Sequence, residues 1–158
     1  MRRQFFVELN ELMEENENVV ALTGDLGFGG FDIIREKWEG TRFWNVGAAE
    51  QTMLDVAVGL ALKGKIPFVY TITPFYLRGF ETIRTYVNHE KLPVIMIGSG
   101  RDKDYAHDGF SHDASDISKF LEPLKNIKTY YPNDKSQIRG LLETLIKDPI
   151  PAFISLQR

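Results

Sequence analysis

The chain has no cysteine, which excludes disulfides, thiolate metal sites and a cysteine nucleophile and fits a reducing compartment. It has no basic block or stripe either. Its 19 Lys and Arg are offset by 22 Asp and Glu spread along the chain, giving a formal net charge of −3, so no nucleic-acid surface is expected. No apolar run approaches the roughly 20 residues of a membrane span. The opening MRRQFFVELNELMEEN has two arginines but no apolar stretch and no small-residue cleavage site, and acidic residues arrive by Glu8. A signal or transit peptide is therefore not expected, and the expected location is the cytoplasm.

Several chemistry-bearing motifs are missing as well. The glycines of GDLGFGGFD miss the dinucleotide fingerprint: with Gly27 and Gly29 as the first pair, the third glycine position holds Asp32. There is no Walker loop, no GxSxG elbow and no HExxH. Three histidines occur, His89, His107 and His112. His107 and His112 could share an ion with Asp104 or Asp108, but their spacing matches no zinc pattern. No metal site is expected in this chain.

What is present is a regular alternation. With 158 residues, of which 43% are hydrophobic, the chain can bury one core between packed layers. Phe5, Leu9, Leu12 and Met13 recur at helical spacing, and Val19 to Thr23 reads as a short strand closed by the turn-forming GDLGFGG. A short helix at 31–38, a strand at 43–46 and a helix at 49–63 follow. The last places Met53, Val56, Ala57, Leu60 and Ala61 on one face, and its small residues Ala57, Gly59 and Ala61 suit close packing. The continuous apolar run 67–72 reads as a strand buried on both faces. Pro74 suits the first turn of a helix running to about Lys91, and 92–97 is a second buried strand. Beyond the polar loop GSGRDKDYAHDGFSHD come a short helix ending before Pro123, a strand at 127–131, a helix opened by an Asp134/Gln137 capping box, and a final strand at 151–156. Strand and helix in turn, with short links, predict one α/β domain: a doubly wound, mostly parallel sheet with helices on both faces. Such sheets bind ligands beyond the carboxyl ends of their strands. Three of those ends carry the unusual residues: GDLGFGG, NVGAAEQ and the GSGRDKDYAHDGFSH loop.

From Phe43 to Pro93 the stretch FWNVGAAEQTMLDVAVGLALKGKIPFVYTITPFYLRGFETIR, with KLPV after it, resembles the pyrimidine-binding domain of transketolases and deoxyxylulose-phosphate synthases. The loop AHDGFSHD is similar to that family's acidic-Asp-Gly-x-Thr/Ser-His segment, and TGDL to its small-residue-Asp-Leu segment. Four pieces in order at matching separations make the resemblance specific, and it covers nearly the whole chain.

The resemblance implies thiamine diphosphate as cofactor, acting through the carbon acid of its thiazolium ring. It implies that Glu50 hydrogen-bonds the pyrimidine N1′ and favours the imino tautomer that removes the C2 proton. That task suits a carboxyl able to share a proton near neutrality, which burial can promote. Taken alone, a first-turn glutamate also suits the helix dipole and nothing more. Phe75 matches the aromatic that covers the pyrimidine ring, with Tyr76 and Tyr70 as substitutes; in a chain with 11 phenylalanines it could also be core. His112 matches a histidine that contacts substrate and stabilises developing charge, and Asp108 an aspartate that touches the donor's hydroxyl. Both could instead order their loop through bonds to backbone. His107 stands where transketolases have an acidic residue. Arg101 falls where deoxyxylulose-phosphate synthases carry an arginine and transketolases a histidine nearby, and Arg158 matches the arginine that ends the last strand and contacts substrate phosphate. Guanidinium forks suit phosphate or carboxylate, so both are candidate substrate-binding residues, and either could be an ordinary surface arginine.

The family binds diphosphate and its Mg2+ through a separate domain with a Gly-Asp-Gly segment followed by an asparagine. No such segment occurs here, and the C-terminal transketolase domain is absent too. Residues 1–158 are thus expected to be a single pyrimidine-binding domain. Met1 opens the chain, so a split-gene product is expected, a truncated chain being the alternative. The implied partner is a separately encoded diphosphate-binding subunit that holds the Mg2+, with two copies of this chain pairing inside a heterotetramer. The expected activity is transfer of a two-carbon ketol unit, or related acyloin chemistry, on sugar-phosphate-like substrates. A subunit of a 2-oxoacid decarboxylase or dehydrogenase is the alternative enzyme, and a non-catalytic assembly or regulatory module the alternative of another class.

Overall fold

Every residue of β1 (Val19–Thr23), β3 (Ile66–Ile72), β4 (Ile95–Ser99) and β6 (Ala152–Leu156) is buried, as uninterrupted apolar runs require when both faces of a strand are covered. The computed structural model describes all 158 residues. These strands and the shorter β2 (Phe43–Asn45) and β5 (Lys128–Tyr130) form one six-stranded sheet in the order β2-β1-β3-β4-β6-β5. All five pairings are parallel, so the carboxyl ends lie along one edge. Thr23 pairs with Asn45 and Tyr70, and Ser99 with Ile72 and Leu156.

Alternate residues of each strand feed two separate cores. On one face, Ala21, Phe68, Tyr70, Ile97 and Ile154 pack with residues of α1 (Arg2–Glu15), α2 (Asp32–Trp38) and α6 (Gln137–Lys147). An aromatic cluster of Phe5, Phe6, Phe31, Phe43 and Tyr70 lies at its centre, with neighbouring centroids 4.7 to 5.9 Å apart. On the other face, Leu22, Val69, Met96 and Phe153 pack with α3 (Glu50–Leu62), the segment 73–89 and α5 (Ile117–Leu121). Arg139 on α6 ties α1 to α6 through Glu11 at 3.0 Å and Glu15 at 2.9 Å. No helix is long and apolar enough to cross a membrane.

Four expectations are corrected in detail. The segment after Pro74 is not one α-helix: it is a 3₁₀-helix at Thr73–Gly79, one α turn, α4 (Phe80–Thr82), and a π-helix at Ile83–His89. Two constraints tighten its first part. The Tyr76 hydroxyl donates back to the carbonyls of Val69, at 2.7 Å, and Ile97, and Gly79 lies against α3 so closely that a Cβ there would meet Leu54 Cδ1 at 2.4 Å. The buried face of α3 is rotated from the expected one: Leu54 and Val58 are buried, while Val56 is 40% exposed. β4 starts at Ile95, not residue 92, because Pro93 has no N–H to give the ladder. The capping box is realised only in part. Gln137 Oε1 accepts from Asp134 N at 3.1 Å, but the Asp134 carboxylate accepts from Ser136 N, and α6 begins at Gln137.

Candidate active site

The order of the sheet reverses at β1: the chain moves outward to β2, then returns past β1 to β3. The crevice over the carboxyl end at such a reversal is where open α/β sheets take ligands. The link from β2 to α3 crosses this point. Asn45 Oδ1 accepts from Gly47 N and from Asp25 N, each at 3.0 Å, which binds the loop after β1 to the turn after β2. Both turns use left-handed backbone, with φ of 56° at Asp25 and 75° at Gly47. α3 then opens with Glu50 as its first residue and no side-chain cap, so the carboxylate faces the positive end of the helix dipole.

Glu50 is 2% exposed. Its carboxylate lies beside Gly24 at the end of β1, where a Cβ would stand 3.5 Å from Glu50 Cγ. A carboxylate that deep needs a counter-charge or a hydrogen-bond donor. Arg78 supplies both: its Nη1 donates to Oε1 and Oε2, each at 2.7 Å. The Arg78 guanidinium also lies over the ring of Phe75, 3.9 Å from the centroid. Glu50 and Phe75 are therefore bridged by one guanidinium, the carboxylate at its edge and the ring at its face. Tyr76 and Tyr70 are not available as substitutes for Phe75. Tyr76 is buried with its hydroxyl bonded to backbone, and burial pushes that hydroxyl well above its ordinary pKa. Tyr70 belongs to the aromatic cluster, and burial raises its hydroxyl as well.

Beyond Phe75 the row of side chains continues without a break. His112 meets Phe75 edge-on, with centroids 5.1 Å apart, and stands 6.5 Å from the ring of Tyr105. A 3₁₀ turn over Phe110–His112 presents it, entered through Gly109 at φ 90°, and Ser111 Oγ lies 3.0 Å from its Nδ1. The Tyr105 hydroxyl connects to Ser99 Oγ at 3.1 Å and accepts from Arg2 Nη1. The guanidinium of Arg158 lies 5.3 Å from the Tyr105 ring, and its Nη1 is 3.1 Å from His107 Nε2. Asp108 Oδ2 is 3.3 Å from that same nitrogen of His107. The structure thus brings Glu50, Phe75, His112, Asp108 and Arg158 onto one connected surface at the carboxyl ends of the strands.

Arg101 is engaged differently. Nε donates to Ser155 Oγ at 3.3 Å, Nη1 to Asn133 Oδ1 at 3.0 Å, and Nη2 to Pro132 O at 2.8 Å and Ser155 O at 2.6 Å. Only one of the five guanidinium N–H groups remains, so a two-pronged grip on a phosphate would break a bond inside the chain. Arg158 has no such ties from its guanidinium beyond His107. It lines a cleft of about 760 Å³ along α1 together with Arg2, Arg3, Phe6 and Tyr70.

Sequence reasoning missed Arg78, Tyr105 and Arg2. For Arg78 a signal existed: it follows Phe75 by three residues behind Pro74, the spacing at which side chains eclipse in a 3₁₀ turn. Arg2 and Tyr105 meet across 103 residues of sequence, and no local pattern announces that contact. No three His, Asp or Glu side chains converge on a point that could hold a metal ion.

Comparisons with known proteins identify the family and the fold. The family described as "Transketolase, pyrimidine binding domain" matches residues 1–158. A putative transketolase C-terminal section of Methanocaldococcus jannaschii is 30% identical over 159 residues, covering 100% of this chain and 50% of that protein. A 6-deoxy-6-sulfo-D-fructose transketolase subunit of Clostridium sp. is 29% identical, covering 99% of this chain and 49% of that protein. A 1-deoxy-D-xylulose-5-phosphate synthase of Dictyoglomus thermophilum is 32% identical over 92% of this chain and 24% of the synthase. The chain thus spans about half the length of the first two and a quarter of the third. Among solved structures, one described as a split gene transketolase, inactive beta4 tetramer, superposes with a TM-score of 0.85 at 32% identity, over 99% of this chain and 51% of that one. Transketolase from Leishmania mexicana shares the fold, with a TM-score of 0.89 at 18% identity over 99% of this chain and 25% of that one. With the match running the full length of the chain, this protein belongs to the transketolase pyrimidine-binding domain family.

Proposed function

We propose that this chain is the pyrimidine-binding subunit of a two-component, thiamine-diphosphate-dependent transketolase, moving a two-carbon ketol unit between anionic sugar-like substrates. The observation that carries the reading is Glu50, a buried carboxyl at the opening of α3 that shares one slot with the face of Phe75. The residues fit the aminopyrimidine half of that cofactor. A carboxyl reaches a ring nitrogen, an aromatic face takes a flat heterocycle, and the space between them already accommodates a planar hydrogen-bonding group. Thiamine diphosphate, when bound, would supply a carbon acid at its thiazolium ring.

The tasks of this chain's own residues follow from their positions. Glu50 shares a proton with the pyrimidine nitrogen, and its burial keeps water from competing for that bond. Phe75 fixes the ring plane by stacking. His112, in contact with Phe75, and Asp108 lie on the loop beside the slot and bond the hydroxyls of the donor. Arg158, which lines the 760 Å³ cleft and has one side-chain hydrogen bond, with His107, meets the anionic end with a charge-assisted hydrogen bond. A relative named for a sulfosugar and others named for sugar-phosphate synthesis support that charge. Arg101 acts as a strut, holding the loop after β4 to β6.

A second subunit supplies the diphosphate and Mg2+ site, and two copies of this chain pair within the complete enzyme. The half-length coverage of split relatives supports this division. The test is co-expression with a subunit carrying a Gly-Asp-Gly segment followed by asparagine, then a screen of ketose phosphates and 2-oxoacids. Ketol transfer by the pair, and none by this chain alone, is expected. Turnover by the isolated chain with thiamine diphosphate and Mg2+, or turnover of 2-oxoacids only, overturns the reading.

A further inference from the structure

Phe75 and Arg78 sit three residues apart on the 3₁₀-helix Thr73–Gly79, so their side chains lie one above the other. That stacking brings the guanidinium 3.9 Å over the Phe75 ring and, from the same position, within 2.7 Å of both carboxylate oxygens of Glu50. One flat group of this chain therefore satisfies both recognition elements of the pyrimidine slot. We propose that Arg78 is a built-in stand-in for the aminopyrimidine: it fills the slot in the cofactor-free chain and rotates out when the cofactor binds. The proposal rests on the reading of the Glu50–Phe75 slot given above.

Occupancy is exclusive on geometric grounds. A guanidinium 3.9 Å above the ring centroid stands at van der Waals separation, about 3.5–4.0 Å, and leaves no layer for a second flat group on that face. Both oxygens of Glu50 already accept from Arg78, so the carboxyl has no oxygen without a cationic donor.

The arrangement also accounts for the burial of Glu50 before cofactor binds. A carboxylate 1% exposed with no partner would be costly, and Arg78 covers that cost until the cofactor takes over. The exit is open, because the Arg78 side chain is 50% exposed and can leave the slot into solvent without disturbing the core. An arginine suits the role where a lysine does not, since only the planar guanidinium both stacks on an aromatic face and donates along its edge.

The experiment uses the complex with the partner subunit, as wild type, Arg78→Met and Arg78→Lys, with thiamine diphosphate and Mg2+ as the probe. Association is followed by stopped-flow tryptophan fluorescence, affinity by calorimetry, and cofactor-free stability by thermal melting. Arg78→Met keeps the aliphatic stem and deletes the charge. It is expected to admit cofactor faster and bind it about ten-fold more tightly, the low end of a charge-assisted bond. It should also melt lower than wild type without cofactor and close that gap when saturated. Arg78→Lys, which keeps the charge but cannot stack, should fall between the two and serves alone if the methionine variant does not assemble. Association no faster than wild type in the variants that assemble, or weaker binding in them, overturns the proposal, because Arg78 would then stay in place beside the bound cofactor. No binding by wild type and variants alike overturns the functional reading, and this one with it.

Discussion

His112 touches Phe75 edge-on, with ring centroids 5.1 Å apart and planes at 67°. The loop expected to meet substrate is thus in contact with the ring expected to carry the pyrimidine, whereas Asp108, four residues earlier, reaches His107 instead. The two loop residues should therefore separate in their effects. His112→Ala removes one aromatic neighbour of Phe75, a contact of about 0.5–1.5 kcal/mol, and should weaken thiamine diphosphate by roughly two- to ten-fold besides lowering donor turnover. Asp108→Ala should lower donor turnover and leave cofactor affinity unchanged. Calorimetric cofactor titration of the complex, beside steady-state kinetics, checks both. Equal cofactor affinities in the two variants would show that the edge contact does not steady Phe75.

Glu50 is the residue whose change should act on the cofactor alone. Glu50→Gln keeps the shape and an acceptor for Arg78, so assembly should survive. It cannot share an acidic proton with the pyrimidine nitrogen, and exchange of the cofactor C2 proton should slow by roughly 10²–10⁴-fold, the usual scale of general acid–base help. Proton exchange followed by NMR in the complex gives the rate directly. An unchanged rate returns Glu50 to a helix-end role.

Legibility in the sequence differs from element to element. The sheet was legible because strands buried on both faces leave unbroken apolar runs, and Pro67–Ile72 falls inside β3 (Ile66–Ile72). The face of α3 was not: nearly every residue from Met53 to Leu62 is apolar or small, so periodicity has little contrast, and packing of Leu54 against Gly79 decided the rotation. The segment after Pro74 was legible in extent but not in type, since its 3₁₀ winding comes from tertiary contacts of Tyr76 and Gly79. Glu50 was recognisable from its place in a long resembling stretch. The spacing of Arg78 from Phe75 was there to be read, but its pairing with Glu50 was not, because an ion pair spanning 28 residues leaves no trace in local spacing.

Arg101 and Arg158 look alike in sequence and should behave differently. Arg158→Ala should weaken a phosphorylated or sulfonated donor by roughly ten- to hundred-fold, corresponding to about 1.5–3 kcal/mol for a charge-assisted hydrogen bond, and a neutral donor far less. Arg101→Ala removes the bonds to Pro132, Asn133 and Ser155, so it should lower the melting temperature and reduce turnover of charged and neutral donors alike. KM values for a donor pair differing only in the anionic group, together with thermal melts, separate the two roles. Discrimination between donors lost in Arg101→Ala but kept in Arg158→Ala would reverse them.

Gly79 joins the stability of the domain to the geometry of the slot. A Cβ there would meet Leu54 Cδ1 at 2.4 Å and the Gln51 Cα at 3.4 Å. Leu54 is fully buried and cannot swing away freely, so the 3₁₀-helix that carries Phe75 and Arg78 must lift off α3, which carries Glu50. Gly79→Ala should therefore cost about 1–3 kcal/mol, the usual range for overpacking a filled interior, and should also weaken cofactor binding by changing the separation of Phe75 from Glu50. Gly59 on α3 is the matched comparison, because nothing lies within 4 Å of a Cβ at that position. In the isolated chain Gly59→Ala should stabilise by roughly 0.5–1 kcal/mol, as expected when alanine replaces glycine inside a helix, with the slot untouched. Urea unfolding of both variants gives the stabilities, and cofactor titration of the corresponding complexes gives the affinities. If Gly79→Ala unfolds like wild type, Leu54 has room to move and the close approach of the two helices does not set the slot. If Gly59→Ala is neutral in the isolated chain but prevents assembly, the open face of α3 is where a second subunit packs.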